Sequence, residues 1–330
     1  MNRDEAADGI PPHARTGAVL RRSGGFFLNG RWDDVLDRPV AAAWVQWQAP
    51  ADERDWKTPV VLVHGGGGQS TDWMWAVDGQ PGWAELFVRA GHPTYLLDRP
   101  GHGRSVWDPE TMGARGPVPD ACLLGGLFQI DPHHLRPGDG RFGAVAASSQ
   151  GLLAGAAAAQ SRDADRIVDL LELTGPAIVV AHSAGAPGVW LAADRAAHAV
   201  RLVVAVEPLG PPFGGQRHRQ AMSEGLTAFP LETARDRGDG KPAGLAAVPV
   251  AVMTAAFSGH LDADQETVAF LRGKGVTVEH LRLEQHGLSG DGHGVIFDRN
   301  STAAFHLMHR RYIETHACAG TPTAHQGGRR

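Results

Sequence analysis

The sequence predicts an α/β fold in which helices flank a largely parallel, eight-stranded sheet. From Val60 onward, short apolar runs are near-continuous in Val, Leu, Ile and Ala, as in strands that are buried on both faces. Stretches with apolar residues at helical spacing separate these runs, and such alternation indicates a doubly wound sheet. A chain of 330 residues, 42% of them hydrophobic, is long enough to bury this core.

The predicted elements follow one another along the chain. Eight apolar runs are predicted strands: Phe26 to Leu28, Ala42 to Trp47, Val60 to Val63, Thr94 to Leu97, Ala177 to Ala181, Leu202 to Val206, Val248 to Met253 and Val276 to Leu283. Five stretches are predicted helices: Trp83 to Ala90, Asp163 to Leu173, Ala184 to Ala197, Ala263 to Arg272 and Asn300 to His316.

Two long segments, residues 106–162 and 210–246, interrupt this alternation and are rich in Gly, Pro and Ala. Long loops inside a compact domain commonly serve as lids or binding loops. We expect them to form a cap over the carboxyl edge of the sheet, where open α/β sheets bind ligands. The domain is expected to span 24–317, between a flexible N-terminus at 1–23 and a flexible tail at 318–330, both rich in small and polar residues.

Charge and composition exclude several classes of protein. A net charge of −5 and a pI near 6.4 offer no basic surface, so no nucleic-acid partner is expected. The N-terminus has no secretory apolar run and no stretch of 18 apolar residues occurs, which predicts a cytoplasmic protein without a membrane partner. Cys122 and Cys318 lie outside any zinc-ligand spacing, although a single disulfide stays open.

Ser183 is the candidate nucleophile. It lies in IVVAHSAGAPGVWLAADR, where a buried strand passes through a turn into a helix whose first residues are small. A nucleophile elbow has this form, because the sharp turn exposes the serine oxygen and needs small neighbours. The first small position holds Ala181 instead of glycine, and Gly185 keeps the second. Most serines in such strings cap a helix, but the flanking strand and helix favour the nucleophile here.

A glycine-rich loop, VHGGGGQSTDW, follows the strand that begins at Val60. Glycines let backbone N–H groups approach a developing negative charge, as an oxyanion hole requires. We expect donors from the amides of Gly66 and Ala184, with Gly67 as the neighbouring candidate. A phosphate-binding loop is excluded because no Lys-Ser/Thr pair follows the glycines. His64 is expected to shape the loop rather than to carry a proton.

The run YLLDRPGHGRS adds another strand and turn, in which Asp98 is expected to shape the turn. Together with GGFFLNG, VHGGGG, AHSAGA, VEPLGPPF and GDGHGVIFDRN, it forms an ordered set of motifs between Gly24 and Tyr312. In this order the chain resembles bacterial α/β-hydrolase esterases similar to the Alcaligenes esterase 713 group. The resemblance implies the α/β-hydrolase fold and a serine esterase.

Of the seventeen histidines, His293 is the candidate base. It lies in the glycine-rich loop GLSGDGHGVIFDRN between the last predicted strand and the C-terminal helix, where this fold places its base. The family's loop has a similar glycine-rich lead, a histidine and an Asp-Arg-Asn, and the matching residues here are Gly290, Gly292, His293, Asp298, Arg299 and Asn300. His286, at the end of the last strand, is the alternative.

The resemblance implies that Glu207, after the sixth predicted strand, is the catalytic acid. A carboxylate at the end of an apolar strand is costly to bury without a donor such as an imidazole, which agrees with this role. Asp262 and Asp264 follow the seventh predicted strand, the commoner acid position across the fold, and are the alternatives. Asp262 stands three residues before Gln265, an arrangement that predicts a capping box at a helix start.

The chain order Ser183, Glu207, His293 follows the nucleophile, acid, base order of the fold. It predicts cleavage of a carboxylic ester or lactone through an acyl-enzyme on Ser183. No metal or organic cofactor is expected, because the glycine loop takes the place of a Lewis acid. The predicted cap is apolar and rich in small residues, which favours a small uncharged ester or lactone as substrate. A homodimer is left open.

Other functions compete with this interpretation. A small-ligand binding protein of the same fold and an acyltransferase with the same triad both stay open. A haloalkane dehalogenase needs a carboxylate nucleophile at the elbow, which Ser183 is not. A metal site at His133 and His134, or at Asp291 and His293, lacks a third ligand at a usable spacing.

Overall fold

The computed structural model describes residues 21–77, 79–129, 143–215, 218–231 and 243–317. The tail predicted at 318–330 and all but the last three residues of the N-terminus predicted at 1–23 lie outside the described residues. Cys318 lies outside them too, while Cys122 is exposed and free. Within these ranges, no helix has the length and apolar character needed to cross a membrane.

The described residues form one large sheet and a separate hairpin. The strands of the sheet are β1 Arg21–Leu28, β4 Ala43–Pro50, β5 Val60–Val63, β6 Thr94–Asp98, β7 Ala177–His182, β8 Val200–Val206, β9 Val250–Thr254 and β10 Val278–Arg282, and the hairpin consists of β2 Arg31–Asp33 and β3 Arg38–Val40. The order across the sheet is β1-β4-β6-β5-β7-β8-β9-β10. Its first two pairings, β1 with β4 and β4 with β6, are antiparallel, and all later ones are parallel. The predicted fold class and all eight predicted strands are therefore confirmed.

Helices cover both faces of the sheet. The α-helices of the described residues are α1 Trp83–Arg89, α2 Pro109–Met112, α3 Ala121–Phe128, α4 Gly143–Ser148, α5 Ala156–Thr174, α6 Ala186–Arg195, α7 Leu261–Gly273, α8 Ser301–Met308 and α9 Glu314–Ala317. Alternate strand residues serve the two faces: Val179 packs in the core with α5, α6 and α7, whereas Val180 packs in the core with α1 and α8. Burial on both faces explains the near-continuous apolar runs of the central strands.

Two predicted segment boundaries differ from the structure, and one short hairpin was not predicted. Strand β1 begins at Arg21, so residues 21–23 belong to the sheet rather than to the predicted flexible N-terminus. Helix α5 begins at Ala156, so the end of the segment predicted as cap, 106–162, is part of a long core helix. Its first turn is a run of alanines, which has no apolar periodicity to reveal it. The hairpin of β2 and β3 is too short for a pattern to predict.

The described part of the second predicted cap segment, 210–246, packs beside α5 and α6. Met222 and Leu226 are fully buried in the core on that side of the sheet. The Gln160 side chain donates to the Ala221 carbonyl (2.6 Å) and accepts from the Ala228 amide (2.8 Å). This segment is therefore held against the hydrolase core by packing and by a buried amide side chain.

Candidate active site

Ser183 lies in a sharp turn between the end of β7 and the start of α6. Its φ of 50° is in the left-handed region, which residues other than glycine seldom adopt. Residues with such strained backbone angles are found more often at functional sites. A Cβ at Gly185 would overlap the carbonyl oxygen of His64, so the second small position must be glycine. Ala181 fits the first because it is already inside β7 and fully buried.

Two hydrogen bonds join Ser183, His293 and Glu207 into one chain. The Oγ of Ser183 lies 2.9 Å from Nε2 of His293, and Nδ1 of His293 lies 2.9 Å from Oε2 of Glu207. His293 and Glu207 are 1% and 0% exposed, respectively. The structure thus brings together, across 110 and 86 residues of sequence, the three side chains that the sequence predicted.

Glu207 lies directly after β8, and its φ of 46° is in the left-handed region, which is uncommon for a residue other than glycine. Its other oxygen, Oε1, accepts the amide N–H of Ala255 at 2.8 Å. Burial raises the pKa of Glu207, while His260 and the hydrogen bonds from Ser258 and Ala255 lower it. These groups offset part of the cost of burying the carboxylate, and burial, the largest effect, leaves the pKa of Glu207 above its ordinary value.

Burial lowers the pKa of His293 to about 4. The imidazole is consequently neutral at pH 7, with Nδ1–H directed to Glu207 and Nε2 free to accept from the Ser183 hydroxyl. A base must be unprotonated to accept a proton, so this state is the one that general-base chemistry requires.

The alternative acids and the alternative base lie elsewhere. Asp262 is exposed, and Asp264 is buried with its carboxyl bonded to the Thr254 hydroxyl at 2.6 Å. The capping-box prediction at Asp262 is wrong: α7 begins earlier, at Leu261, and its N-cap, His260, makes no side-chain cap hydrogen bond. His286 is exposed in the turn after β10.

The glycine loop places Gly66 beside the elbow. A Cβ at Gly66 would lie 3.1 Å from the Cβ of Ala184, so the two residues predicted as oxyanion donors are neighbours. Within the described part of the chain, the Gly66 amide donates to no acceptor, so it is available to a developing oxyanion. Gln150 fastens the loop, since its amide donates to the Gly67 carbonyl at 2.8 Å and its side chain to the Gly68 carbonyl at 3.2 Å.

A buried network beneath the loop fixes its entry. His64 donates from Nδ1 to the Gly65 carbonyl (2.9 Å) and accepts at Nε2 from the amide of Arg99 (3.1 Å). The Arg99 guanidinium also donates to the Gly65 carbonyl (2.7 Å) and pairs with buried Asp163 (2.9 Å). Burial lowers the pKa of His64 well below its usual value, so the ring is neutral. These contacts agree with a structural role for His64.

Asp98 is a buried turn residue, as the sequence led us to expect. One carboxylate oxygen accepts the Ser70 amide at 2.7 Å, and the other accepts the amide and Nε of Arg104 at 3.0 and 2.8 Å. Its carboxyl group also fills the space where a Cβ of Gly103 would lie, and Gly103 has a left-handed φ of 53°. Asp98 therefore ties the glycine loop to the turn after β6.

Sequence reasoning missed two histidines at the site. His182 donates from Nε2 to the main-chain carbonyl of His293 at 2.8 Å. His260 stacks on the His293 ring, with centroids 4.1 Å apart and planes 5° apart. The available signals were positional, since His182 directly precedes the serine and His260 follows the seventh strand of the main sheet. A lone histidine carries no spacing pattern, so neither signal stood out.

His182, Glu207 and His293 also have their ligand atoms within 4.8 Å of one another, close enough to hold a metal ion. Both nitrogens of His293 are already hydrogen-bonded, to Ser183 and to Glu207, and Nε2 of His182 is bonded to a carbonyl. A metal ion could bind here only if these hydrogen bonds broke, so the three residues do not fit a metal site well. Of the two pairs that the sequence offered for a metal, His133 and His134 lie outside the described residues, and Asp291 is not part of this three-residue group.

The chain belongs to the alpha/beta hydrolase fold family, whose model matches residues 58–261. It is 29% identical over 288 residues to a protein named probable secreted lipase phiG from Fungal sp. (strain ATCC 74256), covering 74% of this chain and 78% of that relative. Among solved structures, it is similar to a novel bacterial esterase determined at atomic resolution, with a TM-score of 0.66 and 19% identity over 92% of this chain and 98% of that one. The structural likeness shows the fold. Because one relative's name includes the word secreted, the cytoplasmic location stays a prediction.

Proposed function

We propose that the protein is a serine hydrolase that cleaves a carboxylic ester or lactone with a Ser183, His293, Glu207 triad. The observation that supports this most directly is the unbroken hydrogen-bond chain from Ser183 through His293 to Glu207. The names of its relatives, a secreted lipase and a bacterial esterase, point to the same class of reaction.

In the proposed reaction, His293 Nε2 takes the Ser183 hydroxyl proton as the serine oxygen attacks the acyl carbon. The carbonyl oxygen becomes an oxyanion that accepts hydrogen bonds from the amides of Gly66 and Ala184. The alcohol leaves with the proton from His293, and an acyl ester remains on Ser183. Water then repeats the sequence, releasing the acid. Throughout, Glu207 holds the imidazole and balances its transient positive charge.

Apolar side chains border the proposed reaction centre. Leu152 lies against Gly66, and its side chain is 54% exposed. Phe128 packs on the His293 ring with centroids 5.8 Å apart. Such surroundings favour an uncharged acyl group, which supports a small ester or lactone as the substrate.

The decisive experiment compares the wild type with Ser183→Ala over short acyl esters, aryl esters and lactones. We expect the wild type to hydrolyse at least one class and Ser183→Ala to lose turnover while its melting temperature stays nearly unchanged, because the serine contributes chemistry rather than packing. A fluorophosphonate should label the wild type once, at Ser183. Retained turnover in Ser183→Ala would refute the proposal. Adding an alcohol acceptor and analysing the products separates hydrolysis from acyl transfer.

A further inference from the structure

We propose that His260 is a positioning residue for His293: its ring stacks on the imidazole, holds it in the plane that joins Ser183 to Glu207, and keeps water from its face. The inference rests on the proposed function, because it assigns a role toward the same triad. It concerns a residue in the loop and helix start where this fold commonly carries its acid.

Of the aromatic neighbours of His293 in the described residues, His260 has the closest and most parallel ring. Its centroid lies 4.1 Å away with planes 5° apart, against 4.8 Å and 36° for His182 and 5.8 Å and 26° for Phe128. A flat contact over the whole ring opposes the tilting that would break both hydrogen bonds of His293. Tilting matters because a displacement of about 1 Å in a reacting group can cost 10²-fold in rate.

The backbone of His260 is itself well anchored. Its carbonyl accepts the amide of Asp264 at 2.8 Å, in the first turn of α7, and its amide donates to the Ser258 hydroxyl at 3.2 Å. The Ser258 hydroxyl donates to the Ala255 carbonyl at 3.2 Å and also lowers the pKa of the nearby Glu207 carboxyl. One short segment therefore acts on both partners of the His293–Glu207 hydrogen bond.

Among the described residues, the His260 ring has no polar contact that would explain its position in another way. Its Nδ1 is buried and has no hydrogen-bond partner in the described part of the chain. Burial and the neighbouring His293 lower the pKa of His260 to about 4, so the ring is neutral at pH 7. A neutral, flat and partly buried ring fits a stacking role better than a proton-transfer role.

The groups that face His260 determine how it would affect the pH profile. Its ring interacts with Glu207 after β8, His293 in the glycine-rich loop before α8, and His182 at the end of β7, while Asp264 on α7 contacts its main chain. Burial is the cause of the lowered pKa of His293. Removing the His260 ring would admit water to the His293 face and raise the pKa of His293 toward 6.5, its ordinary value.

The test uses three variants of the full chain that separate flatness from bulk. His260→Phe keeps a flat ring, His260→Leu fills a similar volume without one, and His260→Ala removes the side chain. The rate of fluorophosphonate labelling at Ser183 is measured from about pH 4 to about pH 9, because that rate reports the state of the base without a known substrate. Circular dichroism melting checks folding.

We expect His260→Phe to stay within about 3-fold of the wild-type rate, His260→Leu to fall about 10-fold, and His260→Ala to fall further. The midpoint of the acid limb should stay in place for Phe and Leu and rise by about one pH unit for Ala. Equal rates for Leu and Phe would overturn the proposal, as would a Phe variant as slow as Ala or an unmoved midpoint in Ala. If His260→Ala does not fold, the comparison of His260→Phe with His260→Leu still tests whether a flat ring is needed. If the wild type is not labelled at Ser183, the proposed function itself fails.

Discussion

The Asp264 carboxyl accepts a hydrogen bond at 2.6 Å from the hydroxyl of Thr254, the last residue of β9. Burial raises the pKa of Asp264 to about 8, and Glu207 is close enough for its carboxylate to raise this pKa as well. The carboxyl that occupies the fold's usual acid region is therefore uncharged at pH 7. It has no charge to offer the imidazolium, whereas Glu207 contacts that ring directly.

Glu207→Gln should lower kcat by about 10² to 10⁴, because the amide keeps the shape of the side chain and loses the charge that stabilises the protonated His293. Asp264→Asn is the matched control, since it replaces a neutral buried carboxyl by a neutral amide. It should keep turnover within about 3-fold and cost about 1 kcal/mol or less in unfolding free energy. Exposed Asp262→Asn should be close to neutral. Steady-state kinetics and chemical denaturation measure both quantities. The reverse ranking of the variants would move the acid to the end of β9.

The sheet and the position of Ser183 were predictable because local patterns carry them: the central strands are apolar on both faces, and Ser183 follows a strand end. Glu207 was expected from the resemblance to the esterase group, since strand position alone left Asp262 and Asp264 as alternatives. The stack of His260 and the carbonyl contact of His182 were not predictable, since each joins residues that are distant in sequence and have no motif. The start of α5 escaped for another reason, because a run of alanines fits helix and loop patterns equally well.

Gly185→Ala should lower the unfolding free energy by about 1–3 kcal/mol and reduce turnover, because the added methyl group would overlap the His64 carbonyl and push on the elbow. Gly126→Ala in α3 is the control. Gly126 is exposed, and no atom lies within 4 Å of the place that an added methyl group would take, so this change should be neutral or stabilising by up to about 1 kcal/mol. Denaturant titration compares the two variants. A neutral Gly185→Ala would show that the elbow has more room than its geometry indicates.

His182→Phe should destabilise the protein by about 1–3 kcal/mol, because it leaves the buried carbonyl of His293 without its donor. It should also slow Ser183 labelling, since that carbonyl fixes the backbone that carries the base. His286→Phe makes the same chemical change at an exposed histidine outside the site and should alter stability by no more than about 0.5 kcal/mol. Should the two variants melt alike, the hydrogen bond from His182 would not matter for folding.

The pH dependence of labelling should have an acid limb far below the ordinary pKa of histidine. Burial sets the pKa of His293 at about 4, so the neutral, active form persists as the pH falls through 6.5 and is lost only as it approaches 4. We therefore expect nearly full labelling at about pH 5.5 and half of it near pH 4, the pKa of the free enzyme's base.

The free energy of unfolding should also fall as the pH falls, but this decrease should begin at a higher pH than the loss of labelling. Between pH 6.5 and its lowered pKa, a buried histidine is protonated in the unfolded chain and neutral in the folded chain. Each such histidine therefore lowers the free energy of unfolding by about 1.4 kcal/mol for every pH unit of acidification in this window. His92, His260 and His293, each with a pKa lowered to about 4 by burial, contribute in this window. The opposite shifts of Asp264 and Asp72, whose pKa values burial raises to about 8 and about 7, favour the folded chain as the pH falls and offset two such histidines, while His182, with a pKa lowered to about 3, adds a fourth. The two effects are separated by exposing the protein briefly to acid and then measuring labelling both there and after return to pH 7. Labelling lost in acid and regained at once reports His293, and a midpoint near 6.5 in that reversible part would contradict the buried, neutral base.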